Sequence, residues 1–120
     1  PGDPAAVLNR AGQLQTDGAC DKAIPLYEAV ASRMGQSKSA VAVLNNLALC
    51  YLEVGDSKAL NTAKQAYELA PDMAPVIDTY GWVLFKSGEK ARGLELIEKA
   101  AALDPDNEEI AEHLKAAKQS

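Results

Sequence analysis

Aromatic side chains are scarce in this 120-residue sequence, which contains one Trp, one Phe and four Tyr. A low content of rings beside abundant Ala argues against a sheet packed from aromatic and β-branched residues. Pro and Gly fall at intervals and form no cluster, while 48% of the residues are apolar and 24% are charged, so long disordered segments are excluded. This length supports one modest core. We therefore expect a single all-α domain.

Basic runs are also absent, because the Lys and Arg residues are scattered and the net charge is −5. Nucleic-acid binding usually needs a basic stripe, so no nucleic-acid partner is expected. The longest apolar stretch, "AVAVLNNLALCYLEV", is interrupted by Asn45 and Asn46 and is too short to span a bilayer. Direct membrane insertion of this chain is therefore not expected.

Metal-ligand and catalytic patterns are missing as well. Cys20 and Cys50 have no CxxC partner and His113 is the single histidine, so we interpret them as two small semi-buried thiols and a surface imidazole, with the redox state of the thiols left open. Acidic pairs such as Glu108 and Glu109 lie at predicted helix starts, where they complement the helix dipole. No phosphate loop or nucleophile–His arrangement is present. We expect neither an enzyme nor a bound cofactor or metal.

An internal repeat is the most informative feature. Residues 74–107 align with residues 41–73 with one single-residue gap, and a weaker copy covers residues 4–37. Each copy has a helical pattern, a glycine suited to a left-handed helix stop, and a second helical pattern. The three glycines are Gly18, Gly55 and Gly88. The sequence thus predicts three helix-turn-helix units.

Small residues recur in the middle of each predicted first helix and again in each second helix, where they allow the two helices of a unit to approach closely. In the first helices they are Ala11, Ala48 and Gly81, and in the second helices Ala23, Ala59 and Gly93. In the third unit the predicted contact faces are Ile77, Tyr80, Gly81 and Leu84, against Ala91, Leu94, Ile97, Ala100 and Ala101. The final segment has an apolar stripe of Ile110, Leu114 and Ala117, so we expect a helix that seals the last unit.

The chain resembles the tetratricopeptide repeat family. The resemblance rests on the repeat length, on "NNLALCY" and "DTYGWVL" in the first helices, and on Pro71 and Pro105 at the close of the last two units. Unit one departs from it, with Arg10 at a usual Leu position, Gly35 at the closing Pro position and an insertion, "QSKS". The resemblance implies a solenoid of about seven helices, with repeats at 4–37, 41–73 and 74–107 and a capping helix at 108–119, excised from a longer array.

In this family the first helices line a concave groove that holds a peptide or a partner domain, so the resemblance implies binding without chemistry. The groove candidates are Asn9, Asn45, Asn46, Leu49, Leu52, Glu53, Asp78, Trp82, Phe85 and Lys86, with Leu8, Gly12, Gln15, Thr16 and Thr79 beside them.

Trp82 admits two interpretations. It is part of an exposed apolar patch that meets a partner, or it packs on the preceding first helix around Leu49 and Leu52 and stabilises the contact between units. Phe85 is expected further toward the open side.

One variety of the family grips the C-terminal carboxylate of chaperone tails with Lys, Asn and Arg. Asn9 and Asn46 match the Asn positions, but Leu8 and Asp78 replace the lysines and Trp82 replaces the Arg. Without charge-assisted donors a buried carboxylate is unfavourable, so we do not expect a chaperone-tail partner.

A narrower resemblance concerns the last two units and the segment that follows them, which are similar to the terminal repeats of bacterial scaffolds for exopolysaccharide export or outer-membrane secretion. It implies a periplasmic or outer-membrane-associated location in preference to a cytoplasmic one. Two functions stay open: a protein-binding scaffold whose groove holds a peptide or partner domain, and a self-assembly module that forms a homo-oligomer. Concentration-dependent sedimentation distinguishes them.

Overall fold

The computed structural model describes residues 3–119, and it is all-α, as predicted. Seven α-helices follow one another, with a 3₁₀ turn at Lys38–Ala40 before the third. They are α1 (Pro4–Thr16), α2 (Cys20–Met34), α3 (Val41–Val54), α4 (Lys58–Leu69), α5 (Ala74–Lys86), α6 (Lys90–Leu103) and α7 (Glu108–Lys118). Consecutive helices pack pairwise into a solenoid of three helix-turn-helix units and a terminal helix. Within the described range no helix is both long enough and apolar enough to cross a membrane.

The turn inside each unit repeats one helix-stop geometry. The glycines at positions 18, 55 and 88 have φ of +81°, +77° and +102°, a region that residues with a Cβ rarely adopt. After each glycine, one backbone N–H reaches back over the end of the helix to a carbonyl five residues earlier, as in a Schellman motif. These bonds join Ala19 to Leu14, Asp56 to Tyr51 and Glu89 to Leu84, at 2.8, 2.8 and 2.9 Å. The predicted helix stops are confirmed.

Small residues bring the paired helices close together, as predicted. Ala11 and Ala48 are fully buried in the first two units. In the third unit a Cβ added at Gly93 would lie 2.6 Å from the Gly81 carbonyl oxygen and 2.7 Å from the Phe85 amide nitrogen. Helices α5 and α6 therefore touch through their backbones, and no side chain larger than hydrogen fits between them at this point.

The predicted face of α6 is wrong in one residue. Ala91 is exposed, whereas Leu96, which was not on the predicted face, is buried. The face toward α5 starts at Gly93 and continues through Leu96, Ile97 and Ala100, with the helical spacing i, i+3, i+4, i+7. Because Ala91 is two residues before Gly93, it lies on the opposite side of the helix.

A disulfide joins Cys20 at the start of α2 to Cys50 in α3. The interpretation as two semi-buried thiols is therefore wrong, and the redox state that the sequence left open is the oxidised one. Both residues are buried, and their Cα atoms are 5.1 Å apart, within the range that a disulfide requires. The bond cross-links units one and two at the end of the α2–α3 pair that is opposite to the 3₁₀ turn. The two cysteines are 30 positions apart, and the sequence around them carries no local signal of this pairing, which depends on how α2 packs against α3.

Helix α7 covers the ends of α5 and α6 through the predicted stripe. Ile110 and Ala117 are 1% and 5% exposed, and Leu114 packs against the cluster formed by Ala117, Phe85 and Ile97. Asn107 caps the helix, because its Oδ1 accepts a hydrogen bond of 3.1 Å from the Ile110 amide. The prediction of a sealing helix is confirmed, and the position of this helix also decides which residues remain accessible on α5.

Candidate functional site

An open groove of about 530 Å³ lies on the face formed by the first helices of the three units and by α7. Its volume is in the usual range of ligand pockets. The groove is lined by Gln15, Leu49, Leu52, Glu53, Trp82, Lys86, Glu109 and His113. Six of these were groove candidates in the sequence. Glu109 and His113 were not, because they belong to α7, whose docking position has no signal in the sequence.

The floor of the groove contains a chain of stacked rings. The Trp82 indole stacks on the His113 imidazole, with centroids 4.2 Å apart and planes 9° apart. The Trp82 ring also stacks on the Phe85 ring, with centroids 5.7 Å apart and planes 15° apart. Trp82 therefore packs against the following helix, α7, while its remaining surface borders the groove beside Leu49 and Leu52. Neither interpretation of this residue included its contact with His113.

His113 is held by a buried carboxylate, so its prediction as a surface imidazole is wrong. The distance from His113 Nδ1 to Asp78 Oδ2 is 2.7 Å, and the two side chains are 14% and 2% exposed. The second oxygen, Asp78 Oδ1, is buried and has no hydrogen-bond partner in the described chain. A pattern could have indicated the burial of His113, since it stands three residues after Ile110 on the apolar side of α7.

Two predicted groove residues are buried below α7. Asp78 is 1% exposed, and Phe85 is 8% exposed in a cluster with Ile97 and Ala117. Their prediction as accessible groove positions is therefore wrong. Both lie on the side of α5 that faces α7, and the apolar stripe of α7 covers this side. Thr79, which was placed beside them, is also buried.

The predicted asparagines lie outside the groove lining. Asn9 is exposed on α1, and Asn45 and Asn46 are half-buried on α3. The Oδ1 atom of Asn45 is buried without a hydrogen-bond partner in the part of the chain described. The structure thus brings together the apolar and charged candidates but leaves the amides apart from them.

Charge in the groove is unevenly compensated. Glu53 and Glu109 are exposed, and the described chain gives neither of them an ion pair. Lys86, the cation of the groove lining, places its Nζ 5.2 Å from the centroid of the Trp82 ring, in a cation–π contact. No group of three or more potential metal ligands is found among residues 3–119.

Comparison with known proteins gives a consistent fold. No protein-family model matches the sequence. A small glutamine-rich tetratricopeptide repeat-containing protein 2 from Mycosarcoma maydis is 26% identical over 117 residues, which cover 93% of this chain and 33% of that protein. The chain therefore spans about a third of the length of this curated relative.

Two solved structures extend the likeness. The Sgt2 tetratricopeptide repeat domain from Aspergillus fumigatus has a TM-score of 0.83 at 19% identity, covering 99% of this chain and 79% of that one. The second such domain of human RPAP3, in complex with the HSP70 peptide SGPTIEEVD, has a TM-score of 0.78 at 19% identity. This match covers 98% of the present chain and 100% of the RPAP3 domain. The chain has the fold of a tetratricopeptide-repeat solenoid.

In this tetratricopeptide-repeat solenoid, the positions that hold a carboxylate in one variety of the family have no cation. Leu8 is half-buried, Asp78 is buried against His113, and Trp82 lies in the ring stack. The groove keeps its apolar wall, but at these three positions it has no charge-assisted donor for such an anion.

Two tyrosine hydroxyls make hydrogen bonds in the second layer of the tetratricopeptide-repeat solenoid, and the one from Tyr27 supports the groove. The Tyr27 hydroxyl donates a 2.6 Å hydrogen bond to Gln15 Oε1, which fixes a lining side chain. The Tyr51 hydroxyl donates to Glu28 Oε2. Burial raises the pKa of Tyr27, while burial and the Glu28 carboxylate together raise the pKa of Tyr51. Both phenols are therefore protonated and available as donors at neutral pH.

Proposed function

We propose that this solenoid is a protein-interaction scaffold whose groove binds an extended segment of a partner protein. The observation that carries the proposal is the surface formed by Leu49, Leu52 and Trp82. The Trp82 indole is held in place by its contacts with His113 and Lys86. A rigid aromatic anchor loses little conformational entropy on binding, and Trp is among the commonest interface hot spots.

Peptide complexes of similar folds support this proposal. The second tetratricopeptide repeat domain of human RPAP3 is in complex with an HSP70 peptide in one similar structure, and the first such domain of Spaghetti is bound to an HSP90 peptide in another. The present solenoid offers a groove of suitable size, about 530 Å³. The shared property that we carry over is peptide binding in general, and not the acidic sequence of those ligands.

The test uses Leu52→Ala, because this side chain is half-buried and lies in the groove lining. A peptide selected by the purified chain from a displayed library serves as the probe, and calorimetry measures its Kd. We expect Leu52→Ala to weaken binding about tenfold, the effect of about 1.4 kcal/mol. Leu103→Ala is the matched control, since Leu103 is 55% exposed and outside the groove lining.

Two results would contradict the proposal. One is a selected peptide whose Kd changes by less than about twofold with Leu52→Ala, because a hot spot costs more than this. The other is a library from which nothing is enriched, together with a dimer in concentration-dependent sedimentation that Trp82→Ala abolishes. That pair of results would favour self-assembly through the groove.

A finer proposal follows from the sequence resemblance: the partner is an assembly or modifying enzyme of a bacterial exopolysaccharide export or secretion system. The Cys20–Cys50 disulfide supports a location outside the reducing cytosol. A pull-down from the source organism that returns only cytoplasmic proteins would refute this assignment while leaving the general proposal intact.

A further inference from the structure

The charges of the groove point to the chemistry of its ligand. We infer that the groove prefers a peptide in which a basic residue stands next to an apolar anchor, and this inference rests on the function proposed above. The apolar anchor meets Leu52 and Trp82, and the basic residue meets the carboxylates of Glu53 and Glu109.

The two carboxylates are available to a ligand. Glu53 on α3 and Glu109 on α7 are both exposed and both line the groove, and in the described chain neither accepts a hydrogen bond or forms an ion pair. A ligand cation would therefore find acceptors that no residue of the protein occupies.

The cationic side chains of the groove do not cancel these charges. Lys86 Nζ lies 5.2 Å from the Trp82 centroid, so its ammonium is placed against the ring and is not paired with either glutamate. His113 directs Nδ1 to the buried carboxylate of Asp78, away from both glutamates. With two exposed carboxylates against one ammonium, an acidic ligand meets a repulsive surface.

The experiment compares libraries and charge variants. The purified chain, with its disulfide intact, selects from a random nonapeptide library, and the enriched peptides are sequenced. We expect Lys or Arg next to Leu, Phe or Trp, and no measurable binding of the acidic nonapeptide SGPTIEEVD. For an enriched basic peptide, Glu53→Gln combined with Glu109→Gln should raise the Kd about three- to tenfold at low salt, with a smaller effect at 0.5 M salt.

The control variant is Glu112→Gln, which removes a carboxylate from the exposed side of α7 outside the groove lining. It should leave the Kd unchanged. If the double glutamine variant behaves like this control, or if SGPTIEEVD is enriched instead, the charge preference is overturned. If Leu52→Ala still weakens binding about tenfold in that case, the groove remains the binding site. If no peptide is enriched at all, both proposals fail together.

Discussion

The contact between Gly81 and Gly93 provides the sharpest test of the packing. A methyl group at position 93 would lie 2.6 Å from the Gly81 carbonyl oxygen, 2.7 Å from the Phe85 nitrogen and 2.8 Å from its Cβ. Ordinary contacts between such atoms are about 3.5 to 4.0 Å. Two of the three atoms belong to the α5 backbone and cannot rotate away, so the variant Gly93→Ala forces α5 and α6 apart by about 1 Å.

Two opposing effects decide the change in the free energy of unfolding. Alanine favours the helix by up to about 1 kcal/mol relative to glycine. Overpacking a tight interface costs about 1 to 3 kcal/mol, and the upper part of this range applies because the obstructing atoms are backbone. We expect Gly93→Ala to destabilise the solenoid by about 1 to 2 kcal/mol.

Gly12→Ala is the matched control for this prediction. Gly12 lies inside α1, and a Cβ added there meets no atom within 4 Å. The same substitution should therefore stabilise the protein by about 0.5 to 1 kcal/mol. Urea unfolding, followed by circular dichroism with the disulfide intact, measures both variants. If Gly93→Ala is as stable as Gly12→Ala, backbone contact does not set the spacing of α5 and α6.

Three further predictions concern the Cys20–Cys50 cross-link, the buried hydrogen bond between Asp78 and His113, and Tyr51. Reduction of the Cys20–Cys50 bond, which closes a separation of 30 residues, should lower the free energy of unfolding by about 3.5 kcal/mol; equal urea midpoints with and without reductant would contradict it. His113→Ala should lower the free energy of unfolding by about 2 to 3 kcal/mol, because it leaves the Asp78 carboxylate buried without a partner. In the same urea assay, the double variant with Asp78→Ala should lose less free energy of unfolding than the two single variants added together. The pKa of Tyr51 is raised in the folded state, so the phenol ionises in the unfolded chain first, and the free energy of unfolding should fall as the pH rises above about 10. In urea titrations at alkaline pH, Tyr51→Phe should reduce this fall. If the variant loses stability with pH as steeply as the parent protein, the phenol is not the cause.

Much of the fold could be predicted because its signals are local. A glycine at position 18, 55 or 88 adopts positive φ with little strain, so each marks a helix end wherever the helix packs. A small residue in the middle of a helix, such as Gly81, likewise indicates that the next helix packs close to it. Repetition of these signals along the chain was enough to establish three units and a terminal helix.

The candidate site was predicted only in part. Leu49, Leu52 and Trp82 were found because the repeat pattern places them on one face of the first helices. Phe85 was placed on the wrong side, because the apolar stripe of α7 does not say which side of α5 it covers. His113 was misread for the same reason, although its spacing from Ile110 is consistent with burial.

The sequence by itself thus determined the class, the repeat lengths, the helix stops and the small-residue contacts. Each of these depends on the backbone conformation or the size of single residues. Only the tertiary structure decided the disulfide, the pairing of Asp78 with His113 and the stack of Trp82 on the imidazole. These contacts join residues 30 or more positions apart, and they depend on the angle at which whole helices dock. That angle results from the packing of many side chains together, so no single position in the sequence records it.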